Sequence, residues 1–392
     1  MSNQYITNKE QLLSNLVGYV ESRELIAERE KIGSDFSEDK GKNTAEIAKL
    51  HPKRLNLEVT EIFQETPSTK TFRVRSARGA LPPFQAGQYI NLFVNIDGVE
   101  TARPYAISSC PTHRDYYDLT VKIVKGGFVT NYLLNDVEVG QTFSATSPIG
   151  TFYYNPIIHG KKLVFLAGGS GGAPARAMIE SVLSRGVDAD FYLVYGNSFA
   201  EDVIFQDTFR ALAQKHENFH VMEVISRPEE GYEGLTGYLT GELINEAVSG
   251  VDEVMFYVCG PTPFNDFCKS ELKALSVADK RIRIECNGPP KNPSSIQNWP
   301  TEVSEEEMVT VKVRGKGEFK AQVGEPLLNS LERNGYFVEN ACRSGECSLC
   351  RVKLVEGEVF NPPEAKLRKS DETFGWVHSC VAFPTSDIEI LY

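Results

Sequence analysis

The sequence lacks the features that mark membrane, secreted and nucleic-acid-binding proteins. No apolar run in its 392 residues approaches the roughly 18 residues that a membrane-spanning helix requires. The start of the chain, Met1–Gln4, does not lead into the basic and apolar segments of a signal peptide. The formal net charge of −12 would repel nucleic-acid phosphates, and it favours a partner with a basic docking patch. We therefore expect no membrane span and no nucleic-acid partner.

Cysteine is too scarce for a disulfide framework, since the 392 residues contain only eight. Four of them lie apart from one another, and we expect these to be free thiols in a reducing cytoplasm: Cys110, Cys259, Cys268 and Cys286. The chain is also too long for one ordinary core, which predicts two to four domains.

The other four cysteines follow a spacing that is specific for iron–sulfur chemistry. Cys342, Cys347 and Cys350 form a C-x4-C-x2-C loop, and Cys380 follows after a gap. This is the plant-type spacing for a [2Fe–2S] cluster, which needs four thiolates. A structural zinc site is the alternative, but zinc sites favour two C-x2-C pairs, and only one is present. The spacing therefore predicts a carrier of single electrons.

The periodicity of apolar residues changes several times and divides the chain. A charged, helix-forming stretch from Leu12 to Ile32 predicts a helical N-terminal extension at residues 1–52. Short alternating segments such as Leu55–Val59 and Leu119–Val124 predict a small antiparallel barrel at residues 53–156.

Continuous apolar strands that alternate with helical segments begin near Leu163, and they predict a doubly wound α/β domain at residues 157–288. A polar stretch with four prolines predicts a linker at residues 289–306. The cluster domain then occupies residues 307–392.

A glycine-rich loop follows the first apolar strand of the α/β region. Gly168, Gly169, Ser170 and Gly171 precede Pro174, which suits the first turn of a helix. Glycines in this position let the backbone approach a pyrophosphate at a helix N-terminus. The loop is not a P-loop, because no G-K-[ST] follows. It therefore predicts dinucleotide binding.

A second candidate site ends the last parallel strand of this region. Cys259, Gly260 and Pro261 occupy the edge of the sheet where α/β proteins bind ligands. Cys259 suits either a buried core position or a place beside a nicotinamide ring.

The barrel region holds two more candidates. Arg103 and Tyr105 lie at i and i+2 on a strand and share a face, which suits a phosphate and a flat ring or else a structural pair. Gly126, Gly127 and Thr130 suit an anion site at a helix start, or else an ordinary turn with Thr130 as N-cap.

Taken together, these motifs resemble those of the ferredoxin–NADP reductase superfamily across residues 54–288, with a plant-type ferredoxin fused at the C-terminus. Arg103-x-Tyr105-Ala106 is similar to the R-x-Y-[ST] flavin motif, and Gly127-x-x-Thr130 to G-x-x-[ST]. The resemblance implies a flavin-binding antiparallel barrel, a doubly wound nucleotide-binding domain and an α+β ferredoxin domain of the β-grasp type.

The resemblance also implies roles for single residues. Arg103 would bind the flavin phosphate, Tyr105 would stack near the isoalloxazine, and Thr130 would help to hold the pyrophosphate. The flavin set also contains Ala106, Ile107, Ser108, Gly126, Gly127 and Val129. The nicotinamide set contains Gly168, Gly169, Ser170, Gly171, Gly260 and Pro261, with Cys259 and Glu285 as catalytic residues.

Two departures from the family pattern affect the flavin. Ala106 replaces a hydroxyl residue that usually reaches the flavin ring, and Cys286-Asn287 replaces an aromatic residue that often follows the acid.

The resemblance implies an electron path from a two-electron donor to a one-electron cluster, with a flavin between them. We expect FAD rather than FMN, and NADH rather than NADPH, although Arg227 near Tyr232 would suit a 2′-phosphate. The expected function is an NAD(P)H-dependent reductase that serves a separate electron-accepting protein, such as an oxygenase or hybrid-cluster protein.

Two other functions remain as alternatives. A self-contained flavin-dependent reductase of a small molecule or oxygen would not need a fused ferredoxin. A redox-sensing regulatory protein would employ the N-terminal extension, but the sequence shows no DNA-binding motif.

Overall fold

The computed structural model describes residues 17–32, 41–77, 79–285, 288–290, 292–363 and 365–392. The chain divides into two compact units, residues 1–53 and 54–392. The described part of the first unit contains helices α1 (Tyr19–Ile32) and α2 (Lys42–Leu50), whose side chains are exposed or half-buried. The helix expected from Leu12 is present from Tyr19 onward, and residues 12–16 lie outside the described part. The second unit contains three modules.

The first module is an antiparallel six-stranded sheet in the order β4-β3-β6-β1-β2-β5. Its strands are β1 (Leu55–Thr66), β2 (Thr69–Ser76), β3 (Tyr89–Ile96), β4 (Val99–Ala106), β5 (Tyr117–Lys122) and β6 (Thr142–Ala145). An antiparallel bridge between Ile107 and Leu119 joins the end of β4 to β5 and closes the sheet. The closed sheet confirms the predicted barrel.

Alternation along the first strand shows why this sequence forms a barrel. Leu55, Leu57 and Val59 are buried, and the residues between them are exposed. Side chains alternate across a strand, so one face fills the barrel and the other meets solvent. Helix α3 (Phe128–Asn135) packs against the barrel through buried Val129, Leu133 and Leu134.

The second module is an all-parallel sheet in the order β10-β9-β8-β7-β11-β12. Its strands are β7 (Lys162–Gly168), β8 (Asp190–Asn197), β9 (Phe219–Ile225), β10 (Leu235–Thr236), β11 (Met255–Cys259) and β12 (Ile282–Glu285). Its helices are α4 (Gly172–Ser184), α5 (Gln206–Lys215), α6 (Gly241–Ala247) and α7 (Thr262–Ala274). The order confirms the predicted doubly wound domain.

The strand order of this sheet reverses between β7 and β11. The chain passes from β7 to β8 and β9 on one side, then returns to β11 and β12 on the other. A crevice opens at such a reversal, outside the carboxyl ends of the strands. The predicted glycine loop follows β7, and Cys259 ends β11, so both lie at this crevice.

The third module contains a mixed five-stranded sheet in the order β14-β13-β19-β15-β17 and a small pair, β16-β18. Its strands are β13 (Met308–Val313), β14 (Gly317–Gln322), β15 (Arg351–Glu356), β16 (Val359–Phe360), β17 (Trp376–His378), β18 (Phe383–Pro384) and β19 (Ile388–Leu391). Its helices are α8 (Leu327–Arg333) and α9 (Lys369–Thr373). Helix α8 buries Leu327, Leu328 and Leu331 in the core.

Part of the stretch expected to be a linker, residues 289–306, belongs to this third core. Trp299 is buried, and its ring meets those of Phe360 and Phe383 edge-on at centroid distances of 5.0 and 6.2 Å. Its indole Nε1 donates to the carbonyl of Val303 at 3.1 Å. Burial of a large aromatic ring stabilises the module, so the packed region begins upstream of residue 307.

In the described part of the chain, no helix is both long and apolar enough to cross a bilayer.

Candidate active site and cluster site

The glycine loop is pressed against the end of the neighbouring strand. Gly169–Gly171 form a short 3-10 turn between β7 and α4, and Gly169 has a φ of 52°. A Cβ atom on Gly171 would lie 1.8 Å from the carbonyl oxygen of Cys259. Only glycine fits this position, and the loop leaves its backbone free to approach a ligand at the N-terminus of α4. The cradle fits a dinucleotide pyrophosphate.

Phe264, in the first turn of α7, lies against the same crevice, and the sequence analysis did not single it out. Its ring would be 2.8 Å from a Cβ atom on Gly168 and 2.4 Å from one on Gly260. The ring would also be 3.4 Å from a Cβ on Gly196, at the end of β8. The glycines at the ends of β7, β8 and β11 therefore leave the space that the Phe264 ring fills. Its position five residues after Cys259 was the signal available in the sequence.

Cys259 and Glu285, the two residues expected to be catalytic, are brought together by the sheet. They are register partners on β11 and β12. Cys259 is buried, and Asn265 donates to the carbonyl of Glu285 at 2.9 Å. Burial, reinforced by the negative charges of Glu346 and Cys342, raises the pKa of the Glu285 carboxyl to about 8. Glu285 is therefore mainly neutral at pH 7.

The predicted flavin residues Arg103, Tyr105 and Ala106 occupy the second half of β4 and are half-buried. Burial raises the pKa of the Tyr105 phenol, so the ring carries no charge at neutral pH. Its register partner on β3 is Ile90, and the partner of Ala106 is Tyr89. A cation and an aromatic ring on one strand face are a donor set that fits a flavin.

Ile107 and Ser108 lie in the barrel wall, because both side chains are completely buried. The N–H of Ile107 donates to Gln88, and that of Ser108 donates to Asp118. The Ser108 hydroxyl is 2.8 Å from that of Thr120. These two residues therefore close the barrel next to β4, the strand that carries the predicted flavin residues Arg103 and Tyr105 and is called the flavin strand below.

The second predicted flavin motif forms the start of α3. Gly127 is the N-cap of that helix, so Thr130 does not cap it. The Thr130 hydroxyl instead accepts the N–H of Val124 at 3.3 Å. A Cβ atom on Gly127 would lie 2.4 Å from that hydroxyl oxygen, and Gly126 has a φ of 71°. Both glycines are thus required by the turn before α3, and the N-terminal N–H groups of that helix would suit an anion.

Arg103 contacts its own strand and reaches toward the third module. Its Nη1 donates to the Thr101 hydroxyl at 2.6 Å and to the Ala102 carbonyl at 2.8 Å, and lies 3.8 Å from Glu332 Oε2. Burial and the nearby positive charge of Arg343 lower the pKa of the Arg103 guanidinium to about 10. Arg103 therefore lies where the barrel meets the ferredoxin module.

The four predicted cluster cysteines converge, although they are separated by up to 38 positions in the sequence. Hydrogen bonding with Cys347 and Cys380 lowers the pKa of the Cys342 thiol, and bonding with Cys380 lowers that of Cys350. The same bonds raise the pKa of Cys347 and of Cys380. In the described part of the chain, no three His, Cys, Asp or Glu side chains surround a single-ion position. The convergence suits a four-thiolate cluster.

The cluster loop turns its polar groups inward. The N–H groups of Ser344 and Cys347 each donate to the Cys342 sulfur at 3.4 Å. Arg343, Gly345 and Ser348 have φ values of 53°, 80° and 59°, and such left-handed residues gather N–H groups into a concave surface. Ser344 Oγ is buried with no hydrogen-bond partner among the described residues. These donors fit the sulfur atoms of a cluster.

Tyr89 lies where the barrel meets the cluster loop, residues 341–350. Its side chain belongs to the barrel strand β3 and packs with Ala341 and Cys342 of that loop. Burial is the main cause of the raised pKa of its phenol, followed by the negative charges of Cys342, Cys347 and Glu285. The barrel strand that pairs with β4 and the cluster loop therefore share one ring.

One predicted feature lies apart from this centre, and another falls outside the described residues. Arg227 follows β9, its N–H donates to Ser198 at 2.9 Å, and the residue is exposed at the carboxyl edge of the sheet. Cys286 and Asn287, the departure from the family pattern, lie outside the described residues.

A dinucleotide crevice, a flavin strand and a four-thiol loop that meet within one chain define a three-module flavin and iron–sulfur reductase. Three family models match the same order of modules. "Oxidoreductase FAD-binding domain" matches residues 56–154, "Oxidoreductase NAD-binding domain" matches 165–270, and "2Fe-2S iron-sulfur cluster binding domain" matches 311–385.

Known proteins share this organisation along nearly their whole length. NADH oxidoreductase HCR of Escherichia coli is 30% identical over 335 residues, covering 85% of this chain and 96% of the relative. The glycine betaine monooxygenase reductase subunit of Pseudomonas aeruginosa is 28% identical over 344 residues, covering 85% and 93%. Among solved structures, phthalate dioxygenase reductase has a similar fold, with a TM-score of 0.64 at 20% identity over 86% of this chain and 97% of that one.

The chain belongs to the ferredoxin–NADP reductase superfamily, in the branch that carries a C-terminal plant-type [2Fe–2S] ferredoxin module. The expected class of enzyme, an NAD(P)H-dependent flavin and iron–sulfur oxidoreductase, is confirmed. The expected cofactors, FAD, a nicotinamide dinucleotide and a [2Fe–2S] cluster, are confirmed by the matched modules.

Proposed function

We propose that this protein takes electrons from NADH and passes them, through FAD and the [2Fe–2S] cluster, to a separate terminal protein. The observation that carries the proposal is the position of Tyr89, whose ring packs on Cys342 of the cluster loop. Tyr89 is also the register partner of Ala106 in the flavin strand. A path from the flavin strand to the cluster therefore needs no large movement within the chain.

Each module contributes its own residues to the path. We assign the dinucleotide pyrophosphate to Gly168–Gly171, with Ser170 among them, and the nicotinamide to the edge formed by Cys259, Gly260 and Pro261. Glu285, neutral at pH 7, keeps negative charge away from this edge. The cluster ligands are Cys342, Cys347, Cys350 and Cys380.

The flavin phosphate is assigned to Arg103, and the charge balance around that residue supports the assignment. Arg103 and Arg343 both contact Glu332, so one carboxylate serves two partly desolvated guanidinium groups. An anionic phosphate beside Arg103 would balance the second positive charge. Tyr105 and Ala106 would face the ring, while Gly126, Gly127, Val129 and Thr130 would hold the far end of the cofactor.

Bound FAD supplies the exchange between two-electron and one-electron chemistry that neither the nicotinamide nor the cluster can perform. The chain's own residues position the cofactors and exclude water between them. The terminal acceptor is an oxygenase, as in the name of the glycine betaine monooxygenase reductase subunit, or the hybrid-cluster protein expected from the sequence. NADH is the proposed donor, as in the name of the Escherichia coli relative.

The location proposed for the protein is the cytoplasm. Cys110 and Cys268, two buried cysteines outside the cluster set, are free thiols, as a reducing compartment maintains them.

The test compares the whole wild-type chain with Cys347→Ser. The substitution removes one cluster ligand and leaves the other two modules intact. We expect the variant to retain flavin, to oxidise NADH with ferricyanide at the wild-type rate, and to lose most reduction of cytochrome c. Ferricyanide takes electrons from an exposed flavin, whereas a protein acceptor is served through the cluster. Iron and acid-labile sulfide should fall from about two per chain to near zero.

The matched control is Cys110→Ser. Cys110 is buried in the barrel region, and its sulfur accepts a hydrogen bond from Thr112 at 3.1 Å, which a serine hydroxyl also accepts. This variant should keep its iron, sulfide and both activities. If Cys347→Ser lost its cluster yet reduced cytochrome c as fast as the wild type, the cluster would not be the exit for electrons and the proposal would fail.

A further inference from the structure

A buried polar network joins the cluster loop to the flavin strand of the barrel. Arg343, the residue after cluster ligand Cys342, donates from Nη1 and Nη2 to the two carboxylate oxygens of Glu332 at 2.7 and 2.9 Å. Its Nη1 also donates to the barrel carbonyl of Ala102 at 2.9 Å. From the barrel, the Thr101 hydroxyl donates to Glu332 Oε2 at 2.8 Å. The bidentate ion pair between Arg343 and Glu332 lies within the ferredoxin module. Two barrel groups, the Ala102 carbonyl and the Thr101 hydroxyl, hydrogen-bond to it.

A second attachment lies on the neighbouring barrel strand. The Asn91 side-chain amide donates to the backbone carbonyl of Asn340 at 2.7 Å, and both residues are buried. Asn340 is two positions before Cys342. Thr101, Arg343 and Glu332 are also at least nine-tenths buried. Buried polar groups lose the most when a partner is removed, so these contacts hold the modules in one arrangement.

The attachment points and the flavin residues belong to the same short strand. Thr101 and Ala102 hold the cluster module, while Arg103 and Tyr105 follow directly in β4. One side of the contact is adjacent to a cluster ligand, and the other is adjacent to the flavin motif. Any shift of this contact changes the separation between the two cofactor sites, on which the rate of electron transfer depends.

We infer that Thr101 and Asn91, acting through Glu332 and the backbone of Asn340, are positioning residues for electron transfer from the flavin to the cluster. The inference rests on the proposed function, since it concerns one step of that path. These residues hold the cluster loop in register with β4. Neither residue belongs to the edge formed by Cys259, Gly260 and Pro261, to which we assign the nicotinamide. We therefore expect loss of the Thr101 hydroxyl to slow electron transfer to the cluster far more than hydride transfer.

The experiment uses the whole holoprotein with Thr101→Val, which keeps the β-branched shape and removes the donor. Rapid mixing with NADH without oxygen follows two absorbance changes, that of the flavin and that of the cluster. We expect flavin reduction within twofold of the wild type and cluster reduction slowed at least tenfold. Amide hydrogen exchange in a peptide spanning residues 338–343 should become faster, which is a readout independent of turnover.

Two further variants serve as controls. Thr101→Ser restores the hydroxyl and should restore both the cluster rate and the slow exchange. Thr60→Val removes a hydroxyl that donates to a backbone carbonyl within the barrel, at Arg73, and should leave all rates unchanged.

A cluster rate in Thr101→Val within twofold of the wild type, with unchanged exchange at residues 338–343, overturns the inference. Where Thr101→Val lowers the flavin content, the same comparison is decided by Asn91→Ala, which removes the other attachment. Failure of the proposed function would appear differently, because NADH would then leave the cluster of the wild-type protein oxidised.

Discussion

Cys259 and Glu285 face each other across neighbouring parallel strands and end those strands at the same edge of the sheet. Register partners on parallel strands lie on the same face of the sheet, so the Cys259 thiol and the Glu285 carboxyl are in the same local environment. Cys259 is buried, and Glu285 lies near the negative charges of Glu346 and Cys342. The edge to which we assign the nicotinamide therefore has a carboxyl group that is mainly neutral at pH 7.

The pH dependence of NADH oxidation should reveal this carboxyl. Its pKa is raised from the ordinary 4.5 to about 8, mainly by burial, so it ionises as the pH rises through about 8. We expect ferricyanide-linked turnover to fall about tenfold between pH 7 and pH 9, as expected for one essential protonated group. Glu285→Gln should flatten the profile, and the exposed Glu242→Gln should not. An unchanged profile in Glu285→Gln would contradict the assignment.

The same proton affects stability. The unfolded chain releases it near its ordinary pKa of 4.5, whereas the folded chain retains it up to about 8. The contribution of Glu285 is thus fully present below the ordinary value and is lost as the pH rises through about 8.

Flavin affinity should depend on Arg103. A charge-assisted contact with a phosphate contributes about 1.5–3 kcal/mol, which corresponds to one to two decades in affinity. Arg103→Ala should raise the Kd of FAD by that factor, as measured by fluorescence titration of flavin-depleted protein. Arg75→Ala, which removes an exposed ion pair with Asp115 elsewhere in the barrel, is the control. An unchanged Kd would leave Arg103 as a contact between modules only.

The choice between the two nicotinamide dinucleotides tests Arg227. With NADH as donor, kcat/KM for NADH should exceed that for NADPH, and Arg227→Ala should change the ratio little. Arg210→Ala, in the same domain and paired with Glu223, provides the comparison. A wild-type kcat/KM at least tenfold higher with NADPH, reversed by Arg227→Ala, would show that the exposed guanidinium recognises a 2′-phosphate.

Removal of the ferredoxin module should separate the two halves of the reaction. A protein that ends at residue 287 keeps the barrel and the nucleotide module with their own cores. We expect it to bind FAD and to oxidise NADH with ferricyanide, but to serve cytochrome c poorly. The steady-state rates with the two acceptors measure this. Equal reduction of cytochrome c by the truncated and whole proteins would remove the cluster from the path.

The architecture could be predicted because its signals are local. A buried parallel strand such as Leu163–Ala167 is a continuous apolar run. An alternating strand such as Leu55–Val59 has one buried face and one exposed face. The cluster loop was recognisable because four thiolates leave a fixed spacing. The strand patterns span a few residues, and three of the four cysteines lie within residues 342–350, so no knowledge of distant contacts was needed for these signals.

The contacts between modules could not be predicted in this way. Glu332 and Thr101 are separated by 231 positions, and neither residue type predicts burial. Phe264 resembles any apolar residue of a helix until three glycines from separate strands are seen around it. Trp299 lies in a proline-rich stretch typical of a linker, and only the folded core shows that the ring is enclosed.

The enclosure of Trp299 supplies a built-in optical probe. The protein has two tryptophans, Trp299 and Trp376, and both belong to the ferredoxin module. Indole emission therefore monitors that module alone, while the flavin's own emission monitors the other half of the path. Denaturation can therefore be followed by indole emission and by flavin emission, without any added label. Coincident transitions would show that the chain unfolds cooperatively, and an earlier indole transition would show that the ferredoxin module unfolds first.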